Sequence, residues 1–171
     1  FVVISGWILV SYLIILSFID IDKMILPNSI TYSGSLVGFL LIIYYQIFNK
    51  NVTDYFFLEH FYAYFLVIFG ISIFSYLVKL LIKKPALGGG DAKLFAMSGV
   101  WLGLEGFEVT IALSFLFSAV FVLFGFIFRL IKRGEYIPFG PFICFSFFLV
   151  WFFGPQFWFE LLGNIFWWKY L

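Results

Sequence analysis

Two patches of this 171-residue chain carry residue types whose spacing could do chemistry. In the first, Phe18-Ile19-Asp20-Ile21-Asp22-Lys23-Met24-Ile25-Leu26-Pro27-Asn28, an apolar run ends in two carboxylates and a proline follows. The second, Lys83-Lys84-Pro85-Ala86-Leu87-Gly88-Gly89-Gly90-Asp91-Ala92-Lys93, sets three glycines before a carboxylate at the head of a short helical pattern. Each has a plain structural reading. The first is a polar turn, with Asn28 or Ser29 capping the next helix by accepting backbone N–H bonds. In the second, Asp91 is a helix cap, where the positive end of the dipole suits a carboxylate. The glycines admit positive φ and close approach by another chain segment. A phosphate cradle is disfavoured, because Asp91 would repel the anion and no G-x-x-x-x-G-K-[ST] pattern is present.

Taken together, the patches point to more. Two carboxylates at the ends of different helices can meet and share one proton, since like charges so close cannot both ionise. The ionised partner then takes a proton from water while the protonated one polarises a peptide carbonyl, and the tetrahedral intermediate collapses as the leaving amine is protonated. This is aspartic-protease chemistry, and it uses neither a nucleophilic side chain nor a metal.

The elements that must position these carboxylates are membrane helices. With 64% hydrophobic, 26% aromatic and only 11% charged residues, and a mean hydropathy of +1.12, the chain cannot coat a globule in water. A net charge of +1 excludes a polyanion-binding surface, so no nucleic-acid partner is expected. Apolar blocks at residues 1–19, 30–48, 61–78 and 109–128 each approach the roughly 20 residues a crossing needs. A shorter segment at 91–104 starts under the glycine turn, and a sixth runs over 137–153 between Pro138 and Gly154-Pro155. The tail, with Trp158, Trp167, Trp168 and Tyr170, reads as interfacial. The expected fold is all-α, a polytopic bundle of about six transmembrane spans with an interfacial aromatic tail.

Placing Phe1 outside puts eight of the ten Lys and Arg in the cytoplasmic turns, namely Lys23, Lys79, Lys83, Lys84, Lys93, Arg129, Lys132 and Arg133. Lys50, Asp54, Glu59, Glu105 and Glu108 fall on the opposite side, and Asp20 and Asp91 then share the cytoplasmic face.

Ile19-Asp20 through Leu26-Pro27-Asn28, Gly88-x-Gly90-Asp91 continued by Ala92-Lys93, and Ile137-Pro138-Phe139-Gly140-Pro141-Phe142 stand in this order at span ends. In these three elements the chain resembles the GxGD intramembrane aspartic proteases, and within them the type IV prepilin peptidases, over residues 1–153. The resemblance implies that Asp20 and Asp91 are the catalytic pair, with Asp22 the alternative to Asp20, and that Gly88 and Gly90 shape the loop beside the substrate backbone. It implies removal of a short basic leader from type IV prepilins or pseudopilins at the cytoplasmic face of a prokaryotic inner membrane, in support of pilus assembly or type II secretion. A lateral groove between spans would take the hydrophobic substrate helix. Lys93 reads as snorkelling, and Pro138, Gly140 and Pro141 as breaking the backbone at a helix entrance. Many relatives also carry a preceding region with Cys-x-x-Cys motifs, linked to N-methylation with S-adenosylmethionine. Cys144 is the single cysteine here, so that cofactor is expected only if such a region exists in the full-length protein, and proteolysis needs none. The chain is accordingly expected to form one transmembrane peptidase domain over 1–171, and the missing start Met suggests a preceding segment.

Other residues are read structurally. His60 beside Glu59 is an interfacial side chain rather than a metal ligand, and no metal is expected. Cys144 is a small buried hydrophobe without a base to activate it. Asn51-Val52-Thr53 matches a glycosylation sequon by chance, and Glu105 and Glu108 flank Gly106 in a solvated turn. The rival function is a proton- or cation-coupled transporter using the same aspartates, which would place them near the bilayer midplane.

Overall fold

A computed structural model describes residues 2–49, 55–83, 87–130, 132 and 136–166 of the chain. The sequon at 51–53, Lys50, Asp54, Lys84, Arg133, and the aromatic Trp167, Trp168 and Tyr170 lie outside the described residues. Six helices follow in order: α1 (Val2–Lys23), α2 (Asn28–Phe48), α3 (Phe56–Ile82), α4 (Gly89–Ile127), α5 (Gly140–Phe153) and α6 (Pro155–Phe166). The expected all-helical bundle is present, and the described residues contain no strand. By length and composition α1 to α4 can each cross a membrane, and the bent pair α5 and α6 makes a fifth candidate. The chain is a multi-pass membrane protein.

At 39 residues, α4 is about twice the length one crossing needs. It folds back at Gly103, whose φ of 72° and ψ of −173° are accessible almost only to glycine. The Phe95 and Phe107 rings stand 6.0 Å apart, whereas those positions on a straight helix would be separated by about 18 Å. Residues 91–104 and 109–128, read as separate spans, are thus two arms of one hairpin. Glu105, Gly106 and Glu108 lie in helix, not in a turn, because one residue suffices for the reversal. Six rods result. The first α4 arm and α5 have about 14 residues each, roughly 21 Å, shorter than a hydrocarbon core.

The rods alternate in direction. Gly103 lies against His60 near the start of α3, and Gly6 of α1 lies against Trp151 near the end of α5. The opposite end of the bundle gathers the last turn of α1, the start of α2, and the starts of α4 and α5.

Lipid is as apolar as a leucine side chain, so association inside a membrane depends on close packing and hydrogen bonds rather than on apolar burial. The contacts follow that rule. Gly34 and Gly38 of α2, spaced four apart, receive Met97 and Trp101 of α4, and the Trp101 Nε1–H donates to the Gly34 carbonyl at 3.0 Å. Leu9, Leu16, Phe95, Met97 and Phe147 are fully buried at the centre, while Phe69, Phe74 and Leu80 face outward.

His60 is buried, not interfacial: its Nδ1–H donates to the Val100 carbonyl at 2.6 Å, just before the break at Gly103, where helical carbonyls lose their own partners. Helix α6 leaves α5 at 97° after Gly154, as a helix lying along a membrane surface would.

Candidate active site

Helix α1 ends at Lys23, and Met24 in the left-handed region (φ 51°) turns the chain toward an extended Pro27. Pro27 sets the start of α2, so Asn28 is already helical, and neither it nor Ser29 serves as the expected cap. The Asn28 Oδ1 instead accepts a hydrogen bond from the Lys93 ammonium of α4, which also lies 5.4 Å from the centre of the Tyr32 ring. Lys93 is half-buried, and its ammonium is held by α2.

Asp20 lies on the last turn of α1 and is 5% exposed. Its Oδ2 accepts the Gly140 backbone N–H at 2.8 Å. Gly140 opens α5, where amides lack intrahelical acceptors and the helix dipole suits an anion. The sequence reading treated the Pro-Phe-Gly-Pro segment only as a backbone break and so missed this contact. An amide donor leaves no mark in the sequence, and the glycine between two prolines was the one available sign.

Asp91 is half-buried in the first turn of α4, and its Oδ2 accepts the Gly88 N–H at 3.2 Å. The glycine loop is anchored by Ser75 of α3, whose hydroxyl donates to the Leu87 carbonyl at 3.0 Å and accepts the Leu87 N–H at 3.4 Å. Ser75 also escaped the sequence reading, since a lone hydroxyl in an apolar span carries no functional signal. Gly90 packs on Leu26, and a Cβ there would meet the Leu26 Cβ at 2.9 Å. The loop after α1 and the glycine loop therefore touch directly.

These elements enclose a cavity of about 490 Å³ whose walls include Asp20, Asp91, Gly88, Gly90, Lys93 and Phe139. Asp22 is exposed and does not line it. The structure thus gathers Asp20, Asp91, Gly88 and Gly90 at one end of the bundle, away from its middle. Such a chamber can hold water and an extended peptide between two carboxylates. An apolar groove of about 270 Å³ runs between α1 and α5 toward the same end, lined by Val10, Leu13, Phe18, Pro141, Phe145 and Phe148. Among the described residues, no three His, Cys, Asp or Glu side chains converge as metal ligands. Cys144 is buried and lines the groove between α1 and α5 together with Ser17, whose hydroxyl donates to the Leu13 carbonyl at 2.8 Å.

Residues 7–124 match the type IV leader peptidase family. The chain belongs to that family. It is 33% identical over 140 residues to a prepilin leader peptidase/N-methyltransferase of Aeromonas salmonicida, a match covering 80% of this chain and 43% of that protein. Proteins of the same name from Legionella pneumophila and Neisseria gonorrhoeae are 32% and 33% identical, over 91% and 82% of this chain and 50% and 45% of their own lengths. The chain spans about half the length of the curated relatives it matches. No solved structure gives a match.

Proposed function

We propose that this chain is the peptidase unit of a type IV prepilin-processing enzyme, an aspartic endopeptidase acting at the cytoplasmic face of a prokaryotic inner membrane. The observation that carries the reading is the single cavity shared by Asp20 and Asp91 at the end of the bundle. Family membership supplies the substrate class, a prepilin or pseudopilin. With one carboxylate ionised and the other protonated, the pair activates water and polarises the scissile carbonyl, and a proton passes to the departing amine. Because both carboxylates line one cavity, the two roles belong to the dyad rather than to fixed members. Gly88 and Gly90 line the cavity beside Asp91, where the peptide would lie. The groove between α1 and α5 suits the apolar helix that follows the cleavage point, and Lys23, Lys79, Lys83, Lys93, Arg129 and Lys132, the described cations of this end, support a cytoplasmic orientation.

Methyl transfer, and S-adenosylmethionine with it, is assigned to no residue of this chain. The carboxylates of the cavity are those the hydrolysis uses, and the relatives named for both activities are about twice as long. The transporter reading is weaker, because a coupling-ion site belongs near the bilayer midplane and both aspartates lie at helix ends.

The test is leader removal from a purified type IV prepilin by the full-length protein in liposomes. Cleavage by wild type and its loss in Asp91→Asn are expected. An intact prepilin beside aspartate-dependent proton flux would replace the peptidase reading with the transporter.

A further inference from the structure

We infer that Gly140 is a positioning residue: its backbone amide orients the Asp20 carboxylate, and the Pro-Phe-Gly-Pro segment exists to present that donor. This rests on the peptidase reading of the cavity. Among the described residues, the Gly140 N–H is the one hydrogen-bond donor to the Asp20 carboxylate, at 2.8 Å, and it bridges positions far apart in the chain. Two features of the segment serve this single contact.

The first is the supply of donors. Amides in the first turn of a helix have no partner within it. Pro138 and Pro141 have no N–H, which leaves Phe139 and Gly140 as the donors of the segment. Phe139 and Gly140 thus stand where α5 begins, and the second of them meets the carboxylate.

The second feature is space. A Cβ at position 140 would stand 2.6 Å from Asp20 Oδ2 and 2.9 Å from Cγ, closer than nonbonded atoms approach. Any residue but glycine therefore drives the carboxylate from its place. With Oδ2 held by the amide, Oδ1 is left for the cavity, so a side chain with two free torsions presents one oxygen in a fixed direction. α1 and α5 meet again where Gly6 receives Trp151, so the register that brings Gly140 to Asp20 is also held at the far end of the pair.

The test separates orientation from folding. In the full-length protein, Gly140 is replaced by glycolate, which turns the amide into an ester and deletes the donor without adding an atom. Gly140→Ala, which keeps the donor and adds the Cβ, is made in parallel. The ester variant should cleave a purified prepilin with kcat reduced about tenfold or more, the loss of one hydrogen bond to a charged group. Gly140→Ala should lose about a hundredfold, as a displacement near 1 Å costs. In both, KM for prepilin should stay near wild type while the melting temperature falls by a few degrees, as the loss of one buried hydrogen bond costs, so turnover is compared at a temperature where all three proteins are folded. An ester variant turning over at the wild-type rate overturns the inference, as does a change confined to KM. Wild-type cleavage in the same preparation is the reference; its absence would overturn the peptidase reading and this inference with it.

Discussion

Replacing Gly103 with alanine tests the hairpin that brings the Asp91 arm into the bundle. A Cβ at this position would lie 3.6 Å from the His60 Cε1, an ordinary contact, so the cost comes from the backbone alone. At φ 72° and ψ −173° a residue with a Cβ is strained by about 1–3 kcal/mol. For a chain of this size, about 2 kcal/mol corresponds to a melting temperature roughly 4–8 °C lower. Gly70→Ala is the matched control. Gly70 is an exposed residue of α3 with nothing within 4 Å of its Cβ position. Alanine there should be neutral or stabilise by about 0.5–1 kcal/mol, because glycine is the poorer helix former. Thermal unfolding of both variants in one detergent, followed by circular dichroism, gives the comparison. If Gly103→Ala melts at or above wild type while Gly70→Ala behaves as stated, the glycine-dependent reversal is refuted.

Further outcomes follow from the same contacts. His60→Leu leaves the buried Val100 carbonyl without its side-chain donor and should destabilise by about 1–3 kcal/mol, read by the same unfolding assay. Trp101→Phe removes the indole donor to the Gly34 carbonyl and should cost about 1 kcal/mol without changing cleavage. Cys144→Ala, and wild type treated with a chelator, should both retain prepilin cleavage, because the dyad chemistry draws on neither a thiol nor a metal.

The long apolar runs were legible because a crossing demands about 20 such residues, and α1, α2 and α3 fall close to the runs read from the sequence. The union of two expected spans in α4 was not legible. Glu105, Gly106 and Glu108 look like a turn, yet charged residues at a membrane surface are compatible with helix, and the break falls on a glycine that composition does not distinguish. Asp20 and Asp91 stood out as a pair because their loops carry proline and glycine at the same expected membrane face, and the structure brings both to one cavity. Their surroundings could not be read. The Gly140 amide, the Ser75 hydroxyl and the Asn28–Lys93 bond depend on which helices pack together, and local sequence does not encode that. His60 went from interfacial to buried for the same reason: its acceptor, Val100, lies forty positions along the chain.

The central claim is that Asp20 and Asp91 act as one unit. The direct measurement is the rate of prepilin leader removal in liposomes by Asp20→Asn, Asp91→Asn, the double variant and Asp22→Asn, each checked for folding. The account predicts that both single variants and the double variant fall to the same background, because groups acting together are not additive, while Asp22→Asn cleaves near the wild-type rate. Losses that multiply in the double variant, or inactivity of Asp22→Asn with Asp20→Asn still active, would contradict it.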